Sequence, residues 1–367
     1  MIGSFVHDVP ASRVVFGPGT IAEVGAEVER LGTSRVILVV SPSARAAGER
    51  VADDLGARVA LRVTDTPAHV PTEAAERTTE LARESGGDAI VAIGGGSAVG
   101  MAKAVARRLA LPIVAVPTTY AGSEMTPIWG ETADSRKHNG RDLLVLPRTV
   151  VYDPDLTMSL PPDVSAASGM NALAHLVEGL YAPGTSPLQT LQAVEGVRAL
   201  AAALPVVVQD PTDQAARAES LYGAWLAGWT LGTTGMGVHH KICHVIGGAY
   251  GLPHAGVHSA LLAYSAQFNA TAAPEAMAAI VRGLHAAGRN ASDAAAGIWD
   301  LARDIGAPTS LTEVGLDMPD VDDVAALVVE ARPVNPRPVD VDGVRQLLLN
   351  ACAGERPGSS ESVQVHG

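Results

Sequence analysis

Cysteine, aromatic residues and charge are all scarce in this chain of 367 residues. Two cysteines, Cys243 and Cys352, are too few for a disulfide framework and suit a reducing compartment. Aromatic residues make up 4% of the chain and charged residues 18%, so alanine, valine and leucine have to build the interior. An apolar fraction of 47% is ample for that, and the length favours two domains.

The chain also has fewer basic than acidic residues. The net charge of −13 argues against nucleic acid and anionic membranes as partners, because both are polyanions. It does not exclude a small anion, which needs only a local basic or hydrogen-bonding pocket. The first eight residues lack the basic and apolar regions of a signal peptide, and no stretch approaches the roughly 20 apolar residues that span a bilayer. We therefore expect a cytoplasmic protein without a membrane partner.

The pattern of predicted secondary structure changes near residue 159. Before it, short β-branched runs alternate with helical patterns, which is typical of βαβ units and a doubly wound parallel sheet. After it come alanine- and leucine-rich helical patterns without convincing strands. We predict an α/β nucleotide-binding domain over residues 1–158, an all-α domain over 159–353 and a disordered polar tail over 354–367. The predicted strands are 13–16, 35–40, 59–63, 89–93 and 113–116, and the predicted helices are 20–31, 170–181, 188–204, 215–231, 241–250, 276–287, 292–305 and 341–353.

A glycine run separates the fourth predicted strand from the helical pattern that follows it. Its sequence is Gly94-Gly95-Gly96-Ser97. Glycines let the backbone approach a diphosphate closely, and a helix N-terminus supplies free N–H groups and the positive end of a dipole. A tight turn without a ligand is the ordinary alternative for a glycine run.

The next predicted strand ends in a second loop rich in hydroxyl groups. Two adjacent strand ends of a parallel sheet form the crevice in which such sheets bind nucleotides. We therefore predict NADH or NADPH as cofactor, bound by Gly94, Gly95, Gly96, Ser97, Thr118, Thr119 and Ser123, with Lys137 reaching the ribose. The strand 35–40 is followed by Ser41 rather than by an acid that would repel a 2′-phosphate, so Ser41 accommodates either cofactor. The glycine run does not match the dinucleotide fingerprint G-x-G-x-x-G.

Histidines cluster in the second half of the chain. Five of the eleven lie within residues 239–258. His240 and His244 share one helix face, and a turn before His254 lets that residue fold back toward them. Asn171 and His175 have the same four-residue spacing on an earlier helix, and we expect both helices to face one cleft.

Three interpretations of this cluster are compatible with its spacing: a metal site, an acid/base site, or histidines packed in a helical core. His175, His240 and His254 offer three imidazoles, but position 171 supplies a neutral amide, which is a poor ligand for a transition metal. An acid/base role needs only an imidazole with a pKa near neutrality. We predict no metal and assign catalysis to His244 and His254, with His175 and His240 lining the same pocket.

Motifs along nearly the whole chain resemble the iron-containing alcohol dehydrogenase superfamily and, within it, the maleylacetate reductase family. The superfamily motifs lie at 13–17, 94–97, 117–123, 152–154, 169–172, 240–244, 253–254 and 335–338. The segments 120–130, 136–142 and 335–338 favour the reductases. The resemblance implies a nucleotide-binding domain, a helical domain, a cleft between them and a homodimer.

The resemblance also implies the chemistry. In the metal-dependent relatives an aspartate and three histidines hold the ion, and these map onto Asn171, His175, His240 and His254. The reductases resemble this chain in carrying asparagine and are thought to work without metal. The implied reaction uses NADH or NADPH to reduce the carbon–carbon double bond of maleylacetate, a small dicarboxylate, to 3-oxoadipate in the degradation of aromatic compounds.

Other functions and contacts stay open at this point. A metal-dependent alcohol or polyol dehydrogenase keeps the same fold with Asn171 as an unusual ligand. A lyase resembling dehydroquinate synthase and a non-catalytic nucleotide sensor are further alternatives. For the substrate carboxylates, Lys241, Arg337 and a helix N-terminus near Asn171 are the available partners, each equally consistent with an ordinary structural role.

Overall fold

The computed structural model describes residues 5, 7–133, 136–316 and 320–358, with the side chains of Arg136, Lys137 and Ala249 outside that description. Six parallel strands form one sheet in the order β1-β8-β5-β4-β2-β3, and two antiparallel strands, β6 and β7, form a hairpin. The predicted doubly wound α/β fold is confirmed. The strands are β1 Arg13–Phe16, β2 Val36–Val40, β3 Val59–Val63, β4 Ala89–Gly94, β5 Ile113–Pro117, β6 Ile128–Ala133, β7 Arg136–Arg141 and β8 Thr149–Tyr152.

The central strands are apolar at almost every position because helices cover both faces of the sheet. β2, β4 and β5 are buried throughout and consist mainly of valine, isoleucine and alanine, as expected for an all-parallel sheet. β8 is equally buried, and it was not predicted from the sequence. It has only four residues, and its place is set by parallel pairing with β1 and β5, which are distant in sequence.

The sheet reverses its winding between β2 and β4. From β2 the chain moves outward to β3, returns to the other side of β2 as β4, and continues outward to β5. This point is where open parallel sheets bind ligands, at the carboxyl ends of the strands. Ser41, which follows β2, donates its backbone N–H to Ile93 O at 2.9 Å, so the two strand ends touch there.

Thirteen helices accompany the sheet in the described part of the chain. Those of the second half run from α5, which begins at Pro162 directly after the Pro161-Pro162 break. The predicted division at residue 159 falls in the preceding connection and remains a prediction. The helices are α1 Val24–Arg30, α2 Arg45–Leu55, α3 Thr72–Ser85, α4 Gly96–Leu109, α5 Pro162–Tyr181, α6 Pro187–Gln209, α7 Gln214–Thr233, α8 Val238–Tyr250, α9 His254–Asn269, α10 Pro274–Ala286, α11 Ala294–Asp304, α12 Val321–Glu330 and α13 Val341–Ala353.

Helix α9 is the most consequential element that the sequence did not predict. Thirteen of its sixteen residues are buried, and it takes part in two hydrophobic cores, through Leu262 and Ala266 on one side and Val257 and Leu261 on the other. A helix buried all round has no amphipathic stripe by which a periodic pattern reveals it. α12 was missed as well.

One described helix, α6, is long and apolar enough by length and composition to cross a membrane, contrary to the expectation that no stretch approaches this length. Half of its apolar window is buried within the protein, where it packs against α5 and α7. Core helices of globular proteins commonly meet the same criterion.

The predicted disordered tail is wrong for residues 354–358. Arg356 pairs with Asp300 at 2.7 Å, and the indole of Trp299 donates to Gly354 O at 3.2 Å. Tyr264 donates to Glu355 O, so this segment is held against α9 and α11. Residues 359–367 lie outside the described part of the chain.

Candidate active site

The glycine run forms a strand-to-helix turn at the winding reversal. β4 ends at Gly94, and α4 begins at Gly96 with no side chain capping its first N–H groups. Gly94 has a φ of 144°, and a Cβ there would lie 2.3 Å from Ser41 Oγ. A Cβ at Gly95 would lie 2.9 Å from Thr119 Cγ2. The turn therefore requires glycine and leaves an uncapped helix N-terminus, which favours an anion.

The predicted cofactor residues converge around this turn. The backbone N–H of Thr118 donates to Gly94 O at 3.2 Å, and Thr119 lies against Gly95. Ser41 is buried behind the loop, and Ser97 and Ser123 line a cleft in front of it. Lys137 belongs to β7, and its side chain lies outside the description.

Gly96 offers a clean test of the anion site, because a Cβ there would meet nothing within 4 Å. We expect Gly96→Ala to fold with unchanged or slightly higher thermal stability and to raise the Kd for NADPH by about tenfold or more, since the methyl group occupies the space a diphosphate needs. The matched control is Gly248→Ala, an equally open helical position on α8. Fluorescence titration and thermal unfolding measure both effects, and unchanged NADPH affinity in Gly96→Ala would contradict the assignment.

The cleft has a volume of about 380 Å³ and separates the glycine loop from the histidine cluster. The sheet side contributes Gly96, Ser97, Ser123 and Trp129, and the helical side contributes Asn171, His175, His240, His244 and His254. All four predicted catalytic histidines are therefore brought together, opposite the predicted cofactor loop. His69 also lines this cleft and was not singled out from the sequence.

The histidines come from three helices that cross at the cleft. α5 supplies His175, whose ring stacks on that of His240 from α8 with centroids 5.0 Å apart. His244, one turn along α8, stacks on His254 at the start of α9, with centroids 6.2 Å apart. The predicted fold-back of His254 is thus present, and it is produced by the unpredicted helix α9.

Glu178 holds this arrangement, and the sequence did not reveal it. Its fully buried carboxylate accepts the backbone N–H of His239 at 2.9 Å and contacts His240 Nδ1 at 2.5 Å. Burial raises the pKa of Glu178, but the charge and hydrogen bond of His240 outweigh this and hold that pKa below its usual value. Because a carboxylate only accepts hydrogen bonds, His240 donates to it through Nδ1, and this bond orients the ring so that Nε2 is directed away from Glu178.

A second row of histidines lies behind the cleft. His239 Nε2 is 2.9 Å from His258 Nδ1, and His239 Nδ1 is 3.0 Å from Ser265 Oγ. Burial lowers the pKa of His239 to about 3 and holds the pKa values of His175 and His258 well below the usual range, with neighbouring histidines adding to the shift for His175 and His258. These three rings are neutral near pH 7, which disfavours them as proton donors in the imidazolium form.

Asn171, His175, His240 and His254 are also the residues that would hold a metal ion. Asn171 Oδ1, His175 Nδ1 and His240 Nε2 are buried without a hydrogen-bond partner, and three imidazoles are a ligand set that zinc accepts. The donors therefore fit an ion in number and type. Position 171 supplies no negative charge, however, and the amide of Asn171 in place of a carboxylate weakens such a site.

Lys241, Arg337 and a helix N-terminus near Asn171 were the partners considered for the substrate carboxylates. Asn171 is the tenth residue of α5, so it is not near the N-terminus of its own helix. Arg337 stacks on Phe268 with 4.0 Å between its guanidinium carbon and the ring centroid, and it donates to Phe268 O. Neither Arg337 nor Lys241 lines the cleft.

Comparison with known proteins defines the class of protein. The N-terminal iron-containing alcohol dehydrogenase model matches residues 11–154, and the C-terminal model of the Fe-containing alcohol dehydrogenase family matches residues 165–352. The chain therefore belongs to the iron-containing alcohol dehydrogenase family, which confirms the resemblance seen in its motifs, and it is an oxidoreductase.

Individual members of the family are similar to this chain over nearly its full length. The chain is 44% identical to maleylacetate reductase from Sphingobium indicum over 353 residues, which are 96% of this chain and 99% of that protein. The structure of maleylacetate reductase from Rhizobium sp. strain MTP-10005 superposes with a TM-score of 0.92 at 40% identity, covering 97% of this chain and all of that one. An iron-containing alcohol dehydrogenase from Corynebacterium glutamicum superposes with a TM-score of 0.90 at 41% identity, covering 96% and 98% of the two chains.

Proposed function

We propose that this chain is an NADH- or NADPH-dependent reductase that converts maleylacetate to 3-oxoadipate. The proposal is supported by relatives of that name that align over nearly its whole length. The observation that carries the chemistry is the cleft, in which an uncapped helix N-terminus faces His244 and His254. A homodimer, a cytoplasmic location and a role in the degradation of aromatic compounds belong to the same proposal.

The reaction needs a hydride donor and a proton donor on one substrate. A reduced nicotinamide held by the glycine loop would supply the hydride; the alkene carbon β to the ketone accepts it, and negative charge then develops on the ketone oxygen as an enolate. Hydrogen-bond donors lower the energy of that oxyanion, and a positioned acid then protonates the carbon α to the ketone. His244 and His254 fill these two roles, while His175 and His240 line and orient the pocket.

The proposed reaction does not require a metal ion. A Lewis acid chiefly helps a carbonyl to accept hydride, whereas an enone can be reduced with hydrogen bonding and one proton donor. A bound ion at Asn171, His175, His240 and His254 would polarise the ketone oxygen. We expect enzyme that has been treated with a chelator, and shown by elemental analysis to hold no iron or zinc, to keep its maleylacetate reductase activity. Complete loss that iron or zinc restores would favour the metal-dependent alcohol dehydrogenase alternative.

The direct test is loss of absorbance at the reduced-nicotinamide band when maleylacetate is added, with 3-oxoadipate identified as product. Aliphatic alcohols and diols with NAD⁺ or NADP⁺ provide the comparison, because they are the substrates of the alternative dehydrogenase. Net oxidation also excludes a lyase that only uses NAD transiently. If neither NADH nor NADPH is oxidised with maleylacetate, the proposal is wrong.

Acceptance of NADPH depends on Ser41. A small cavity of about 210 Å³ beside it is bordered by Arg45 and by Arg62, whose guanidinium pairs with Glu49 at 2.9 Å. We expect Ser41→Asp to raise the KM for NADPH by about tenfold more than the KM for NADH, because an acid there repels the 2′-phosphate. Ala46→Asp, an exposed position on α2 that does not border this cavity, is the control for added charge. Equal changes for both cofactors would contradict this placement of the ribose.

A further inference from the structure

Lys103 is a buried lysine on α4, which we call the cofactor helix because it begins at the glycine loop. It lies two turns after Gly96. Its ammonium lies against the connection between β5 and β6, which we call the 122–128 segment. Nζ donates to three backbone carbonyls, those of Ser123 at 2.6 Å, Thr126 at 2.8 Å and Ile128 at 2.8 Å. It also lies 3.0 Å from Thr126 Oγ1 and 3.3 Å from Ser123 Oγ.

Burying this ammonium is costly, so its retention in a core position needs a reason. Lys103 is 1% exposed, and burial lowers its pKa to about 7, with the charge of Glu124 acting in the opposite direction. Glu124 belongs to the same segment and accepts a hydrogen bond from Tyr152 Oη at 2.8 Å. Charged hydrogen bonds to three carbonyls fix that backbone more firmly than apolar packing would.

The opposite side of the 122–128 segment is pressed against the helical half of the molecule. A Cβ at Gly228 would lie 2.5 Å from Gly122 O, and one at Gly232 would lie 2.6 Å from Met125 O. These two glycines of α7 let the segment approach the helix backbone directly. A Cβ at Gly122 would lie 3.6 Å from His175 Nδ1, so the segment also borders the histidine wall.

The 122–128 segment is thus held between the cofactor helix and the helices that carry the histidines, and Ser123 and Ile128 line the cleft. We propose that Lys103 is a positioning residue that sets the distance between the bound nicotinamide and His244 and His254. It does so by fixing this segment to α4. The inference rests on the proposed function for its kinetic consequence, but its structural part stands independently.

The first test replaces Lys103 by methionine, which has a similar length and no donor. We expect kcat to fall by about tenfold or more, because small displacements of reacting groups are costly in rate. The deuterium isotope effect on kcat with 4-deuterated NADPH should rise, as hydride transfer becomes slower. The Kd for NADPH should change by a much smaller factor than kcat, since the glycine loop is untouched and Ser123 is the only predicted cofactor residue in the 122–128 segment. Lys103→Gln retains two donors and should recover part of kcat.

A purely structural role would not give this pattern. Val105→Ala truncates a buried residue on the same helix and serves as the control for lost stability. If Val105→Ala loses as much thermal stability as Lys103→Met and shows the same rise in the deuterium isotope effect, the inference is overturned. It is likewise overturned if kcat in Lys103→Met is unchanged, or if NADPH affinity falls by the same factor as kcat.

A second pair of variants covers the case in which Lys103→Met does not fold. Thr126→Val removes the hydroxyl contact of Nζ together with the bonds of that hydroxyl to Ser123 O and to the Ile128 N–H, whereas Thr126→Ser keeps all three. The valine variant should show the same kinetic signature at smaller amplitude, and the serine variant should match the unmodified protein. Equal behaviour of the two would overturn the inference.

Hydrogen exchange separates this inference from the proposed function. In Lys103→Met, and to a smaller extent in Lys103→Gln, amides of residues 122–128 should exchange faster while those of residues 94–97 keep their protection in the presence of NADPH. If the unmodified protein does not reduce maleylacetate, the proposed function fails, and the exchange result alone decides the role of Lys103. Unchanged exchange at 122–128 overturns that role.

Discussion

Replacing either His244 or His254 by glutamine should lower kcat for maleylacetate reduction by about 10²- to 10⁴-fold, the range that a positioned acid or base contributes. Of the four assigned histidines, these two are only partly buried, and their rings stack in the open part of the cleft. Burial holds the pKa of His175 well below its usual range, and Nδ1 of His240 is engaged by Glu178. We therefore assign the proton transfer to His244 and His254.

The same variants should leave the Kd for NADPH unchanged, because the cofactor loop lies across the cleft. His285→Gln is the matched control: His285 lies on α10, and its ring contacts Ala291 O rather than the cleft. Steady-state kinetics and fluorescence titration of the three variants provide the measurement. Unchanged turnover in both His244→Gln and His254→Gln would refute the site.

Glu178→Gln should have the second largest effect. The amide keeps the shape of the side chain but loses the charge, and its nitrogen would face the N–H donor of one of the two histidines, His239 or His240, and leave that donor without an acceptor. We expect kcat to fall by about 10- to 100-fold, as for other residues that orient a site histidine. The free energy of unfolding should fall by about 1.5–3 kcal/mol, the contribution of a hydrogen bond to a charged group. Thermal and denaturant unfolding test the second effect.

The pH dependence of stability gives a further readout of Glu178. Its pKa is lower in the folded protein than the usual 4.5, so the unfolded chain binds a proton more readily. Its stabilising contribution is therefore complete above about pH 4.5 and is lost as the pH falls through the lower folded value. In Glu178→Gln this part of the acid-induced loss should be absent. An unfolding free energy with the same slope below pH 4.5 in both proteins would contradict it, and Glu195→Gln, a partly exposed carboxylate on α6, is the control.

The sequence predicted the parts of the fold that repeat a local pattern. Five strands of the large sheet and the turn at Gly94-Gly95-Gly96-Ser97 are visible because β-branched runs and glycines have strong local preferences. β8 and α9 were missed for opposite reasons. β8 is too short to be recognised from its sequence and is fixed by strands that are distant in the chain. α9 is apolar on every side and therefore shows no amphipathic pattern.

The candidate site was predictable in its residues but not in its geometry. The histidine spacing placed His240 and His244 on one face, but nothing local connects them to His175 or places His254 at the start of a buried helix. Glu178 and Lys103 escaped detection because each is an isolated charged residue in sequence. Their importance comes from burial and from partners distant in sequence: His240 lies 62 residues from Glu178, and Ile128 lies 25 residues from Lys103. Such contacts exist only after the helices have packed.

The fate of the hydride tests the central claim most directly. The measurement uses maleylacetate, chelator-treated enzyme shown to be free of metal, and NADPH with deuterium at the transferable position, with the product analysed by NMR. We expect 3-oxoadipate with an intact ketone and with deuterium on the carbon β to that ketone. Deuterium on a carbinol carbon, or turnover that appears only when iron or zinc is restored, would show alcohol dehydrogenase chemistry and contradict the account.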